Sequence, residues 1–435
     1  MGSVLEVLSK RLDIALGVEP EPTVESVLAE SAKHGVLRGS AYTVFEKWRV
    51  YIKTVTKELA EKFNLSLNEV ETLRKFDKDL TSLLDKAEKQ TIERLGVLQE
   101  ALKKDFIEMR RKNTTVYICA YNICTKVNMN RNGHLIVALP LHGASVLSHF
   151  PNILKLSKGE LEAFQIGWRA SDETYMLSRP KLVTTQPWQL FAWASVRPGR
   201  MRLALEYVHL TARGVSLRVT AVAASQREQW SKKEAQRLIL EAVKRGEYRA
   251  LLTWYLGDGV AGMSNKILAL SIKTYSATEL GGRHYERSSI LYFNYDESRE
   301  LARKIIFSAP QSMRDMLDLL HAKKWLFLKS VANSVKKNPF YITIRGVKMR
   351  LHDAKTLQAV FYTLDEEKAW QILNVLKPYA KLGKDRNYYV VRITWKGLRE
   401  LIKEDPDLEK AILRFLNSRN STASKRILSQ LNPLF

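Results

Sequence analysis

The apolar positions of the first hundred residues recur at three- and four-residue steps, the spacing of helices that bury one face. Thr23 caps a helix through Ala32 that Gly35 ends. Val44, Phe45, Trp48, Tyr51, Ile52 and Val55 predict a second helix over about 41–63. Ser66-Leu-Asn-Glu69 is a capping box, whose hydroxyl and carboxylate each satisfy an orphan amide. The helix it opens carries a stripe of Leu73, Phe76, Leu80, Leu84, Ala87, Thr91, Leu95, Leu98, Leu102 and Phe106. That stripe, with charges on the other face, predicts a helical hairpin or short coiled coil.

Near Lys112 the pattern changes. Val116–Tyr121 and 134–139 read as strands around the Asn-rich turn 128–133. Ser157 and Glu160 form a second capping box before a helix with Leu161, Phe164 and Trp168, and Pro187 opens another helix. Met201–Leu210 and Val215–Ala223 alternate as a hairpin, with Leu203, Leu205 and Tyr207 expected on one core face. Ser231 and Glu234 form a third capping box, followed by a helix to Lys244 and an apolar helix that ends in Gly257-Asp258-Gly259. Lys266–Lys273 and 288–294 read as strands, and Asp296–Ser308 and Met313–Val335 as helices, the latter carrying Lys323, Lys324 and Lys329. In the hairpin Tyr341–His352, period-two alternation puts Lys348, Arg350 and His352 opposite Val347, Met349 and Leu351. Asp365 caps a helix stopped by Pro378, and Tyr388–Trp395 is the last clear strand before two short helices. The fold class is therefore α+β. Three regions are expected: a helical extension over 1–111, an α+β domain over 112–230 and a further domain over 231–435.

Charge adds a partner to this picture. The 435 residues carry a net +24, with a pI near 9.8. A surplus of that size repels itself unless an anion offsets it, and nucleic acid is the commonest such anion. Cys119 and Cys124 are the two cysteines. In one continuous strand they would lie on opposite faces, which suits neither a metal knuckle nor a disulfide. They read as buried thiols in a reducing cytosol. No apolar run is long enough to span a bilayer, and the first residues lack a signal-peptide pattern, so a cytoplasmic protein without a membrane partner is expected.

Gly257-Asp258-Gly259 is the strongest chemical signal. Glycines on both sides of an acid at a helix end would expose its carboxylate, a geometry suited to holding a divalent cation against a phosphodiester. Gly-Asp-Gly is also ordinary turn chemistry. Helix, Gly-Asp-Gly, two strands and a helix together resemble the αββαββα core of LAGLIDADG homing endonucleases. The resemblance implies that Asp258 and the backbone of Gly257 bind Mg²⁺, and that Lys273 or Lys266 assists. It also implies that strand residues contact double-stranded DNA, for which Lys266, Lys273, Arg345, Lys348 and Arg350 are the candidates.

Val183-Thr-Thr-Gln-Pro-Trp188, Ala194-Ser-Val-Arg-Pro-Gly199 and Leu251–Gly259 are similar to the PaRep family of crenarchaeal repeat paralogues, over roughly 112–404. That likeness implies a thermophilic archaeal selfish or repeat element. Two departures stand out. Leu252-Thr253-Trp254 replaces the small residues that let two interface helices approach, and no second Gly-Asp-Gly follows. The expectation is a DNA-binding protein, either an Mg²⁺-dependent endonuclease, which would cut as a homodimer or nick alone, or a catalytically inactive descendant; the alternative is a structural, oligomerising protein that works through its helical extension and binds DNA weakly. RNA is the alternative nucleic acid.

Overall fold

The computed structural model describes residues 2–112, 115–129, 135–261, 266–272, 279–285, 289–335, 340–353, 356–385, 387–419 and 422–431. Four helices lead the chain: α1 (Gly2–Ala15), α2 (Val24–His34), α3 (Ala41–Lys62) and α4 (Leu67–Lys103). Thr23 caps α2 as expected, through a capping box with Ser26, Ser66 makes its predicted box, and Gly35 closes α2 at φ 75°. Strands β1 (Glu108–Lys112), β2 (Thr115–Ala120), β3 (Ile123–Met129), β4 (Leu135–Pro140) and β5 (Ser145–Phe150) follow. Next come α5 (Lys158–Ala170), β6 (Thr174–Met176), β7 (Arg179–Thr184), α6 (Pro187–Val196), β8 (Gly199–Thr211), β9 (Gly214–Ala223) and α7 (Lys232–Lys244). The segment α8 (Arg249–Asp258), β10 (Ala269–Ser271), β11 (Arg283–Tyr285), β12 (Ile290–Tyr292), α9 (Tyr295–Ser308), α10 (Gln311–Leu319) and α11 (Lys323–Ala332) completes the first of two units, Met1–Ser334.

The first nine strands make one antiparallel sheet in the order β1-β2-β3-β4-β8-β9-β7-β6, with β5 pairing on β8 beside β4. Helices α1, α3 and α4 pack on one face of it. The stripe from Leu73 to Leu98 is buried there, in one core that runs from Leu8 to Ala332. The long stripe therefore serves the sheet as well as the α3–α4 hairpin, and the boundaries expected near 111 and 230 fall inside a single unit. Phe106 lies beyond the helix and is exposed.

Three local expectations change. The chain turns at Tyr121 (φ 55°), so Cys119 and Cys124 are register partners on β2 and β3 and form a disulfide. The assumption of one continuous strand missed that turn, and the pairing removes the support that two free thiols lent to a reducing compartment. A bulge between Leu205 and Tyr207 shifts the register of β8. Leu203, Leu205, Val208 and Leu210 stay in the core, and Tyr207 crosses to the other face. Met313–Val335 is two helices, because His321 (φ 46°) breaks the chain between α10 and α11.

The second unit, Val335–Phe435, comprises β13 (Tyr341–Ile344), β14 (Val347–Asp353), β15 (Leu357–Thr363), α12 (Glu366–Leu376), β16 (Ala380–Asp385), β17 (Tyr388–Thr394), α13 (Trp395–Glu404), α14 (Pro406–Asn417) and α15 (Thr422–Leu431). Its antiparallel sheet runs β13-β14-β15-β17-β16. Val347, Met349 and Leu351 face its core, while Lys348 and Arg350 are exposed, as alternation requires. No helix among the described residues is long and apolar enough to cross a membrane.

Candidate functional site

Helices α5 and α8 pack tightly against each other. A Cβ built on Gly167 of α5 would stand 2.1 Å from both the Ala250 carbonyl and the Thr253 hydroxyl of α8. Thr253 Oγ1 donates to the Phe164 carbonyl at 2.7 Å. The bulk of Thr253 and Trp254 therefore does not hold the helices apart, because the small residue lies on the partner helix. At the far end of the pair, a Cβ on Gly257 would stand 2.1 Å from Ser171 Oγ and 3.2 Å from the Asp172 amide. Gly257 is glycine because another chain segment fills the space, and Asp258 is half-buried rather than exposed.

This packing brings two helix tips together. Asp258 ends α8, and Asp172 lies just past the end of α5. A second carboxylate thus comes from upstream in the same chain. The sequence hides it because Ser171-Asp172-Glu173 lacks glycines. Asp172 accepts from Gln189 Nε2 at 2.6 Å, and Gln189 in turn contacts Thr184 Oγ1 at 2.5 Å. Behind it, Glu173 is fully buried and accepts from Trp193 Nε1 (2.7 Å) and from Arg197 Nε (3.1 Å) and Nη2 (2.8 Å). The segments 183–188 and 194–199 therefore build the wall behind the α5 tip.

Two lysines close the tips. Lys324, in the first turn of α11, donates through Nζ to the Gly257 carbonyl. Lys232, the first residue of α7, donates through Nζ to the Ser171 carbonyl. Each carbonyl immediately precedes one of the two aspartates. Burial pushes the Lys324 ammonium down to about 8, and the neighbouring Asp172 and Asp258 carboxylates pull against that shift. An Mg²⁺ ion needs a near-octahedral set of oxygens, at about 2.1 Å. The Gly257 carbonyl that would bind it is taken by an ammonium, and the described residues contain no group of three or more His, Cys, Asp or Glu able to hold a metal. The residues present do not fit the ion.

Lys266 is exposed, at φ 49°, and precedes β10 instead of lying on it, since the strand starts at Ala269. Lys273 lies outside the described residues. Arg345 is a structural pin of the second unit: it pairs with Glu404 (3.3 Å), donates to the Lys377 carbonyl (3.1 Å) and stacks on Tyr379 (4.9 Å). Lys348 and Arg350 are exposed on the sheet face away from that unit's core, with Lys348 over the Tyr341 ring at 5.0 Å.

A larger basic surface, absent from the sequence expectation, covers the first unit's sheet on the face opposite its helices. Arg110, Tyr117, Lys126, Ala138, His209 and Ser216 are register partners across six neighbouring strands. Beside this row, the bulge presents Tyr207 opposite Arg218. Lys126 Nζ donates to the Tyr207 hydroxyl at 3.1 Å, and both Lys126 (5.2 Å) and Arg218 (5.8 Å) lie over its ring. Arg202 and Lys181 continue the face through their shared register partner Val222. Glu108 lies on it too, bound to Arg110 at 2.8 and 2.9 Å. Burial, reinforced by Arg218, pushes His209 down to about 4. No family model, curated protein or solved structure matches this chain.

Proposed function

We propose that this chain is a DNA-binding protein that grips the duplex backbone with the helix-free face of its large sheet. The observation that carries the reading is the cation-flanked, half-buried Tyr207, turned onto that face by the bulge. A net charge of +24 supplies the long-range attraction. From β1 to β7 the cations span six inter-strand spacings, about 29 Å at roughly 4.8 Å each. That is close to one duplex turn of about 34 Å. Phosphate contacts of this kind position a protein without reading sequence. Duplex RNA is the competing ligand in the test.

The test is affinity for duplex DNA against salt. Log affinity should fall with log salt by roughly 0.9 per phosphate neutralised. Lys126→Gln and Arg218→Gln should each lower the slope by about one, while Lys10→Gln, whose side chain pairs with Glu6 on α1, should leave it unchanged. Equal slopes for wild type and both sheet variants would sink the reading. Preference for duplex RNA over DNA would change the substrate class.

The placement of Asp172 and Asp258 at neighbouring helix ends favours a second reading, an endonuclease of the LAGLIDADG type, for which α5-β6-β7-α6-β8-β9-α7 has an αββαββα order upstream of the 231–435 region where that core is expected. That reading alone requires Mg²⁺, and the lysine ammoniums on the Ser171 and Gly257 carbonyls count against it. Nicking of supercoiled DNA that is lost in both Asp172→Asn and Asp258→Asn would support it. Absence of nicking, with DNA binding intact, leaves the first reading.

A further inference from the structure

The misfit between the helix tips and a divalent cation has a structural cause. Two carboxylates, Asp172 and Asp258, stand at the ends of α5 and α8, and both act on the Lys324 ammonium. The carbonyl before each one, Ser171 and Gly257, accepts from a lysine ammonium. The two lysines arrive on different helices and from different parts of the chain, each in the first turn of its helix. Both carbonyls thus meet a positive charge, and the Lys324 ammonium also feels the Asp172 and Asp258 carboxylates. We propose that the ammonium groups of Lys232 and Lys324 occupy the cation positions of this tip pair, so that the native chain carries its own tethered cations there and takes no divalent ion.

The proposal explains how two acids can be packed together at a glycine-tight helix crossing without a metal. It does not rest on the DNA-binding reading, because the basic sheet face needs no cation at the tips. A tethered ammonium supplies charge and hydrogen bonds. It has no open coordination position at which water could be activated, so the tip becomes a fixed structural joint.

The test removes the tethers. Lys232→Met/Lys324→Met, with side chains of similar length, should acquire one saturable Mn²⁺ site, read by electron paramagnetic resonance of free Mn²⁺ and competed by Mg²⁺. Wild type should show no such site. Adding Asp172→Asn and Asp258→Asn to the double variant should abolish it. A folded double variant without Mn²⁺ binding overturns the proposal. So does a wild-type Mn²⁺ site that disappears in Asp258→Asn. Should the double variant fail to fold, wild type decides by thermal unfolding. The Tm should be the same in EDTA and in excess Mg²⁺, and Asp258→Asn should change it equally in both. A Tm that Mg²⁺ raises in wild type but not in Asp258→Asn overturns the proposal. The DNA-binding reading stands or falls separately, by the salt slopes of the sheet variants.

Discussion

Gly257 on α8 faces Ser171 past the end of α5 so closely that a Cβ would stand 2.1 Å from the serine hydroxyl oxygen and 2.4 Å from its Cβ. Nothing at that site can swing away cheaply, because Ser171 also donates to the Gly167 and Trp168 carbonyls. Gly257→Ala should therefore destabilise the first unit by about 1–3 kcal/mol, the usual cost of overpacking. Gly96 is the control. It lies within α4 with nothing within 4 Å of an added Cβ, so Gly96→Ala should stabilise by about 0.5–1 kcal/mol through helix propensity. Urea titrations of the two variants check both signs.

Glu173 and Arg197 form the most buried ion pair, at 0% and 3% side-chain exposure. The carboxylate is also held by Trp193, and the guanidinium by Gln226 at 2.9 Å. Removing one partner strands a buried charge. Glu173→Leu should cost about 3–5 kcal/mol, and Glu173→Leu/Arg197→Met should recover part of that loss, because no unpaired charge remains. Equal unfolding free energies for the single and double variants would show that the pair's geometry, and not its charge, matters.

Much of the fold was legible where local chemistry decides it. The capping boxes at Ser66, Ser157 and Ser231 each start a helix as read. The Arg345-Gly346 turn closes its hairpin with both residues at positive φ. What escaped the sequence depended on register and on long-range packing. One extra residue in β8 moved Tyr207 from the core to the open face. One positive-φ residue, Tyr121, folded the cysteines onto each other. The second acid of the helix tips carries no glycine signature, because Gly167 stands five residues before Asp172 and packs a different turn of the helix pair. Lys324 could be recognised only once α11 was placed beside α8.

In the second unit, Arg345 and the pair Lys348 and Arg350 should separate cleanly. Arg345 is tied to Glu404, Lys377 and Tyr379, so Arg345→Ala should lower stability by up to about 1 kcal/mol, since the pair is exposed. It should leave the salt slope of DNA binding nearly unchanged. Lys348→Ala/Arg350→Ala removes exposed cations without a buried contact, so stability should hold. The salt slope should fall by about two if this face also meets phosphate. Thermal unfolding and binding titrations on the same preparations distinguish the two roles.

His209 makes the basic sheet face sensitive to acid. Its folded-state pKa is pushed down to about 4, first by burial and then by Arg218. The sign follows from which state binds the proton. Above pH 6.5 the imidazole is neutral in both the folded and the unfolded chain and contributes nothing. Between about 6.5 and 4 the unfolded chain takes up a proton that the folded chain refuses, so stability falls with pH. The loss is complete below 4 and amounts to at most about 3.5 kcal/mol, at about 1.4 kcal/mol per pKa unit. His209→Gln should match wild type at pH 8 and be the more stable protein at pH 4.5, as read by thermal unfolding. A phosphate bound beside Arg218 would offset that guanidinium, the smaller of the two causes that hold His209 neutral. DNA affinity at fixed salt should therefore rise as pH drops from 7 to 5 in wild type, and rise less in His209→Gln. A pH dependence of affinity identical in the two proteins would place the phosphate away from this row of the sheet.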